Sequence, residues 1–159
     1  MPRITPFLWF DTEAEEAAEF YCSIFPNSKI TAVSHYTEAG PRPVGMAMTV
    51  SFVLDGQEYT ALNGGPEFKF TEAISLMINC ADQDEVDYYW EKLTADGGQE
   101  VQCGWLKDRY GLAWQVVPEG MMDVLKSDDP ARVERAMQAM FTMKKLDLAA
   151  LQAAAEGSA

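Results

Sequence analysis

A chain of 159 residues, 48% apolar and 11% aromatic, can bury one ordinary core and is too apolar to be intrinsically disordered. Its formal net charge of −13 repels phosphate backbones and anionic membranes, so neither nucleic acid nor a lipid surface is expected as a partner. Three scattered cysteines (Cys22, Cys80, Cys103) make no disulfide framework. No signal-peptide core follows Met1-Pro2-Arg3, and no run nears the ~18 apolar residues of a membrane span, so a reduced, cytoplasmic location is expected.

Ile4 to Phe10 reads as a strand, with Pro6 tolerable at an edge or a start. Asp11 or Thr12 is the expected helix cap. Ala14, Ala17, Ala18, Tyr21, Ile24 and Phe25 then recur at helical spacing until Pro26-Asn27. Ser28 to Tyr36 is a second strand and carries the single histidine, His35. Thr37 to Pro43 is a loop by its Gly and two Pro. Met46 to Leu54 and Gln57 to Leu62 form a hairpin about Asp55-Gly56, and Asn63-Gly64-Gly65-Pro66 reads as a linker.

The order then begins again. Ala73 to Cys80 is a strand and Asp82 a cap. Val86, Tyr89, Trp90 and Leu93 form a helical stripe that Gly97-Gly98 stops. Gln99 to Cys103, Trp105 to Asp108 and Leu112 to Pro118 are three further strands, the last two joined by a turn at Asp108-Arg109-Tyr110-Gly111. Along the last of them Ala113, Gln115 and Val117 share one face, and Leu112, Trp114 and Val116 the other. Phe20-Tyr21 and Tyr89-Trp90 set the two halves about 70 residues apart, each half reading strand, helix, strand, strand, strand. In the helical tail Asp128 or Asp129 caps a helix with Pro130 at its first position, and Val133, Met137, Met140 and Phe141 are its apolar face. Asp147 caps a last helix from Leu148 to Glu156, ended by Gly157.

A doubled βαβββ unit resembles the vicinal oxygen chelate superfamily, which includes glyoxalase I, bleomycin-resistance proteins and extradiol dioxygenases. Within it the chain is similar to the PhnB-like group, also labelled the 3-demethylubiquinone-9 3-methyltransferase family. The residues that carry the likeness are Pro6 to Asp11, Phe20-Tyr21, Ala61 to Pro66, Asp87 to Leu93, and Trp105 to Pro118. The resemblance implies an α+β fold of tandem βαβββ modules (3–65 and 71–119) whose mixed sheet curls around a cavity, followed by C-terminal helices (120–157). It also implies a homodimer.

In metal-using relatives His and Glu ligands come from the first and fourth strands of each module. Counting strand positions here puts Gln115 in the last slot, Ser75 in the fifth-strand slot, Ala61 or Asn63 in the fourth, and Ile4 or Pro6 in the first. None is a histidine or a carboxylate, and divalent transition metals favour imidazole, thiolate or carboxylate. No metal and no cofactor is therefore expected. The candidate cavity-lining residues are Gln115, Ser75, Asn63, Trp105, Leu8 and His35. His35 is also a candidate general base, set against an ordinary surface or core histidine. Cys80 and Cys103 read as inert thiols. Trp9, Tyr59, Trp105 and Trp114 read as core packing or an aromatic pocket wall, Arg42 and Lys107 as solvated cations or an anion clamp, and Met137, Met140 and Met143 as docking or dimer packing.

The expected function is binding of a small molecule of unknown identity in the sheet cavity without a tightly held metal. Three alternatives stand beside it: a metal-dependent lyase or dioxygenase, the methyltransferase of the family label, and a non-catalytic dimeric scaffold. The methyltransferase reading lacks a Gly-rich strand-to-helix loop for S-adenosylmethionine.

Overall fold

The computed structural model describes residues 2 to 157, which divide into two compact units, one ending at Phe70 and the other beginning at Thr71. The first holds β1 (Phe7–Phe10), α1 (Ala14–Ile24), β2 (Lys29–His35), β3 (Ala47–Leu54) and β4 (Gln57–Asn63). The second holds β5 (Ser75–Cys80), α2 (Gln83–Thr94), β6 (Gln99–Glu100), β7 (Trp105–Lys107) and β8 (Ala113–Pro118). Three helices close it: α3 (Glu119–Leu125), α4 (Pro130–Met140) and α5 (Leu148–Glu156). The two four-stranded sheets run β1-β4-β3-β2 and β5-β8-β7-β6, each with its first strand parallel to its fourth and its other pairs antiparallel. This is the repeated βαβββ order, within an α+β fold.

In the first unit the strand expected from Ile4 begins only at Phe7, because Pro6 has no N–H for the ladder and contributes just its carbonyl, to Thr60 N at 3.0 Å. Tyr21 of α1 stacks on Phe52 of β3 at 6.4 Å, and Phe52 on Tyr59 of β4 at 5.5 Å. That contact identifies the helix-covered face. By register, Leu8, Ala61, Val50 and Phe52 belong to it, all buried, whereas Phe7, Thr60 and Ser51 point the other way.

The expected caps Asp11 and Thr12 do not cap α1. Its N-cap residue is Glu13, which makes no side-chain cap bond. Asn63 Oδ1 instead accepts from Ala14 N at 2.8 Å, across 49 residues of chain. Asp11 is engaged elsewhere, because its Oδ1 and its carbonyl both accept from the Arg42 guanidinium at 3.0–3.2 Å. Asn63-Gly64-Gly65, expected as a linker, is part of the first unit. Gly64 N donates to Phe10 O at 2.8 Å, and Trp9 Nε1 donates to Gly65 O at 2.9 Å. A Cβ on Gly64 would fall 2.4 Å from the Trp9 ring, which is why a glycine stands there.

In the second unit Asp82 caps α2 as expected, its side chain accepting from Glu85 N at 3.0 Å. Asp129 and Asp147 cap α4 and α5. The strand expected over Gln99 to Cys103 stops at Glu100, because Cys103 (φ +59) and Gly104 (φ +85) turn the chain left-handed. That turn is held from the C-terminal segment: Cys103 N donates to Met143 O and Gly104 N to Lys144 O, both at 2.8 Å. Leu146 packs fully buried among Val117, Met121 and Leu151. Gln83 of α2 donates to Leu146 O at 2.9 Å and accepts from Leu148 N at 2.8 Å. On α4 the buried residue is Ala136, while Phe141, expected on its apolar face, is 61% exposed just past the helix end.

Lys145 adds an ion pair to Asp87 at 2.8 Å, and Gln83 Nε2 donates to the same carboxylate at 3.1 Å. Lys145 first, then Gln83, hold the Asp87 carboxyl below its ordinary pKa. A depressed carboxylate stabilises the fold above its unfolded pKa, about 4 for an aspartate, and the contribution disappears as pH falls through the folded value. The stability difference between wild type and Asp87→Asn, measured by urea unfolding, is therefore expected to shrink on acidification from about pH 6 to pH 3. A difference independent of pH would mean that the pair does not form.

Candidate functional site

In the second sheet Leu106 pairs with Trp114 on one face, and Trp105 with Gln115 on the other. Leu106, Trp114 and Val116 are buried, as are Val86, Trp90 and Leu93 of α2, which packs on this side. The opposite face is open only at its middle, because Ala113 and Val117 on the same side of β8 are buried, Val117 among Met121, Leu146 and Leu151. Its central row is Trp105, Gln115 and Met77, with Gln115 and Trp105 half-buried and Met77 53% exposed.

Gln115 Nε2 donates to Ser75 Oγ at 2.9 Å. Two residues that sequence spacing puts in separate ligand slots, 40 positions apart, thus meet on this face. The bond uses one amide donor and one hydroxyl lone pair. Gln115 Oε1 and the Ser75 hydroxyl proton have no other bond among the described residues, so the pair offers an acceptor and a donor side by side. Trp105 flanks it on one side and Met77 on the other. Met77 could have been found in the sequence, because it alternates with Ser75 and Asn79 at period two.

The other sequence candidates lie in the first unit. Leu8 is buried on the α1 side of its sheet. Asn63, 3% exposed, is held from three sides: its Oδ1 caps α1, its Nδ2 donates to Ala47 O at 3.0 Å, and its carbonyl accepts from Tyr36 Oη at 2.6 Å. His35 is exposed at the end of β2, an edge strand. Counted back from the last register pairs, Phe10–Asn63 and Cys80–Pro118, the positions matching Met77 and Gln115 are Phe7 and Thr60. Thr60 lies on the open face of the first sheet, one residue from Ala61 and on the opposite side.

Of the aromatic candidates, Trp9 donates to Gly65 O and meets Phe68 edge-on at 4.8 Å, Tyr59 stacks on Phe52, and Trp114 donates its indole N–H to Asp108 Oδ2 at 2.9 Å. Trp105 is the aromatic residue beside the polar pair. Burial, with Glu85 next in weight, pushes the Cys80 thiol up to about 12, which suits an inert core thiol. Arg42 is bound to Asp11, whereas Lys107, on the same face as Trp105 and Gln115, pairs with the half-exposed Glu72. Among the described residues, no three His, Cys, Asp or Glu side chains converge as a set that could hold a metal ion.

A family model described as 3-demethylubiquinone-9 3-methyltransferase matches residues 2–117. The structure of a PhnB protein from Bacillus cereus is 36% identical, covers 74% of this chain and 99% of its own, and superposes with a TM-score of 0.67. A protein from Pseudomonas aeruginosa is 21% identical over 75% of this chain and 98% of its own, with a TM-score of 0.61. The fosfomycin resistance protein FosX from Listeria monocytogenes is 14% identical over 74% of this chain and 93% of its own, with a TM-score of 0.51. These last two are likenesses of fold. No protein of curated function matches.

Proposed function

We propose, because this chain belongs to the 3-demethylubiquinone-9 3-methyltransferase family, that it uses the open face of the second sheet to bind a small organic molecule, without a tightly held metal. The observation that carries the reading is the Gln115–Ser75 pair, with an acceptor and a donor to spare between Trp105 and Met77. Such a row suits a molecule with a flat apolar body and a neutral polar edge, since pockets combine apolar walls with a few placed polar groups. The amide of Gln115 and the hydroxyl of Ser75 are weak ligands for transition metals, and among the described residues no three His, Cys, Asp or Glu side chains gather as a set that could hold one.

The methyl-transfer chemistry in the family's name finds no support in the strand–helix junctions. Asp11-Thr12-Glu13 and Ala81-Asp82 contain no glycine, and at the direct β8–α3 junction Gly120 is packed against Leu148, whereas a nucleotide cradled at a helix N-terminus needs close backbone approach. A thermal-shift screen of small aromatic and dicarbonyl compounds, of S-adenosylmethionine, and of Zn, Ni, Mn and Fe tests the proposal. An aromatic or dicarbonyl compound is expected to raise Tm, with about 2.7 kcal/mol of added stability at a concentration 100-fold above its Kd. Gln115→Ala should remove most of that shift. Stoichiometric metal binding with a rise in Tm would overturn the metal-free reading, and so would a ligand indifferent to Gln115→Ala overturn the site.

A further inference from the structure

The matched family model ends at residue 117, so the likeness accounts for the repeated βαβββ order and not for α3, α4 and α5. The segment between α4 and α5 is seated on the second sheet. Met143 O and Lys144 O accept from Cys103 N and Gly104 N at 2.8 Å, just before Trp105 begins β7. Gln83 holds Leu146 O and Leu148 N, and Lys145 pairs with Asp87. Leu146 is fully buried in one cluster with Val117, which is the next residue after Gln115 on that side of β8. We propose, resting on the ligand reading of this face, that residues 143–148 form its end wall and position Trp105 in it, so that ligand binding and docking of the segment stabilise each other.

Gly104 is clasped from two sides: its N donates to Lys144 O, and its carbonyl accepts from Val116 N at 2.8 Å. A Cβ on Gly104 would fall 2.8 Å from Leu146 Cδ1 and 3.1 Å from Val116 O, so the close seating of Leu146 needs a glycine there. Cys103 (φ +59) takes a left-handed backbone that a cysteine does not favour, and the carbonyls of Met143 and Lys144 hold that turn from outside. Trp105 follows the turn directly and stands opposite Gln115. Releasing the segment therefore frees the residues that set where the Trp105 ring lies, and a site is only as well ordered as the residues that brace it. When the docked state is populated about one-fifth of the time, the apparent Kd of a ligand that needs it rises about fivefold. By reciprocity, a bound ligand favours docking.

Benzamide is the probe, a flat ring whose edge offers an N–H to Gln115 Oε1 and a carbonyl to the Ser75 hydroxyl. Its affinity and amide hydrogen exchange are measured on the full chain as wild type, Gln83→Ala, Lys145→Glu and Lys145→Arg, at a temperature where each stays folded. Lys145→Glu sets a like charge against Asp87 at a partly exposed site, so it carries the test even where Gln83→Ala does not fold. Binding is expected to weaken about fivefold in Gln83→Ala and in Lys145→Glu, and to match wild type in Lys145→Arg. The Trp105 indole resonance should move in the two weakened variants, while that of Trp114, bonded to Asp108, stays. In wild type, benzamide should slow exchange at the Cys103 and Gly104 amides. Variants that lower Tm yet bind benzamide as wild type does reduce the segment to a structural brace, and they overturn the proposal while leaving the ligand face standing. If neither benzamide nor any compound of the aromatic and dicarbonyl set binds wild type, the ligand face falls and its end wall with it.

Discussion

Asp108→Ala is expected to cost about 3–5 kcal/mol in urea unfolding, because it strips the partner from three N–H donors at once. The carboxylate is 2% exposed. Its Oδ1 receives Tyr110 N and Leu112 N at 2.9 and 3.1 Å, and its Oδ2 receives the Trp114 indole at 2.9 Å. The backbone of the same residue closes the turn, donating to Leu112 O at 3.0 Å and accepting from Gly111 N at 2.9 Å. Asp108→Asn keeps the shape, but its amide nitrogen replaces one oxygen and confronts a donor, so about 1–3 kcal/mol is expected. Trp114→Phe removes the donor facing Oδ2, and it should cost less in the Asp108→Asn background than alone, a coupling that a double-mutant cycle reads directly. The same turn keeps Trp105 opposite Gln115, two residues along each strand, so ligand affinity on the open face should fall together with stability. A cost below about 1 kcal/mol for Asp108→Ala would mean that the turn holds its register without the carboxylate.

What the sequence made legible was what it encodes locally. Alternation along β8 separates Gln115 from Trp114, and it puts Gln115 on the open face. Asp82, Asp129 and Asp147 cap helices that start one residue later, so spacing alone finds them. The twofold order of elements survives because each half repeats its periods. Long-range partners leave no such trace. Nothing near Asn63 marks it as the cap of a helix 49 residues earlier, and nothing near Asp11 shows that Arg42 claims it. Strand parity is similarly fragile, because a slip of one residue exchanges faces: Ala61 and Thr60 are neighbours, yet only Thr60 faces away from α1. The early end of β6 was hidden for another reason. Cys103 adopts a left-handed backbone that its residue type does not favour, in a turn bonded to Met143 and Lys144 some 40 residues on.

Asn63→Ala should destabilise the protein by about 2–4 kcal/mol, the sum of a lost helix cap, about 0.5–2 kcal/mol, and a buried carbonyl left without its donor, about 1–3 kcal/mol. The cap is Oδ1 to Ala14 N at 2.8 Å, and the carbonyl is Ala47 O, reached by Nδ2 at 3.0 Å. Asn63→Asp separates the two contributions. Its carboxylate still accepts from Ala14 N and suits the positive end of α1, but it turns an oxygen toward Ala47 O in a site 3% exposed. Burial and that carbonyl both favour the protonated acid, which can donate to Ala47 O as the amide did, so the folded pKa of the new group is raised above its unfolded value. A raised carboxyl destabilises the fold at neutral pH, and the penalty is relieved as pH falls through the folded pKa. Asn63→Asp is therefore expected to lie well below wild type near pH 7 and to approach it as the solution is acidified, while Asn63→Ala keeps a constant deficit. Parallel urea titrations of the three proteins across that range read the difference, and an Asp variant whose deficit stays constant would show that Ala47 O does not need the amide's donor.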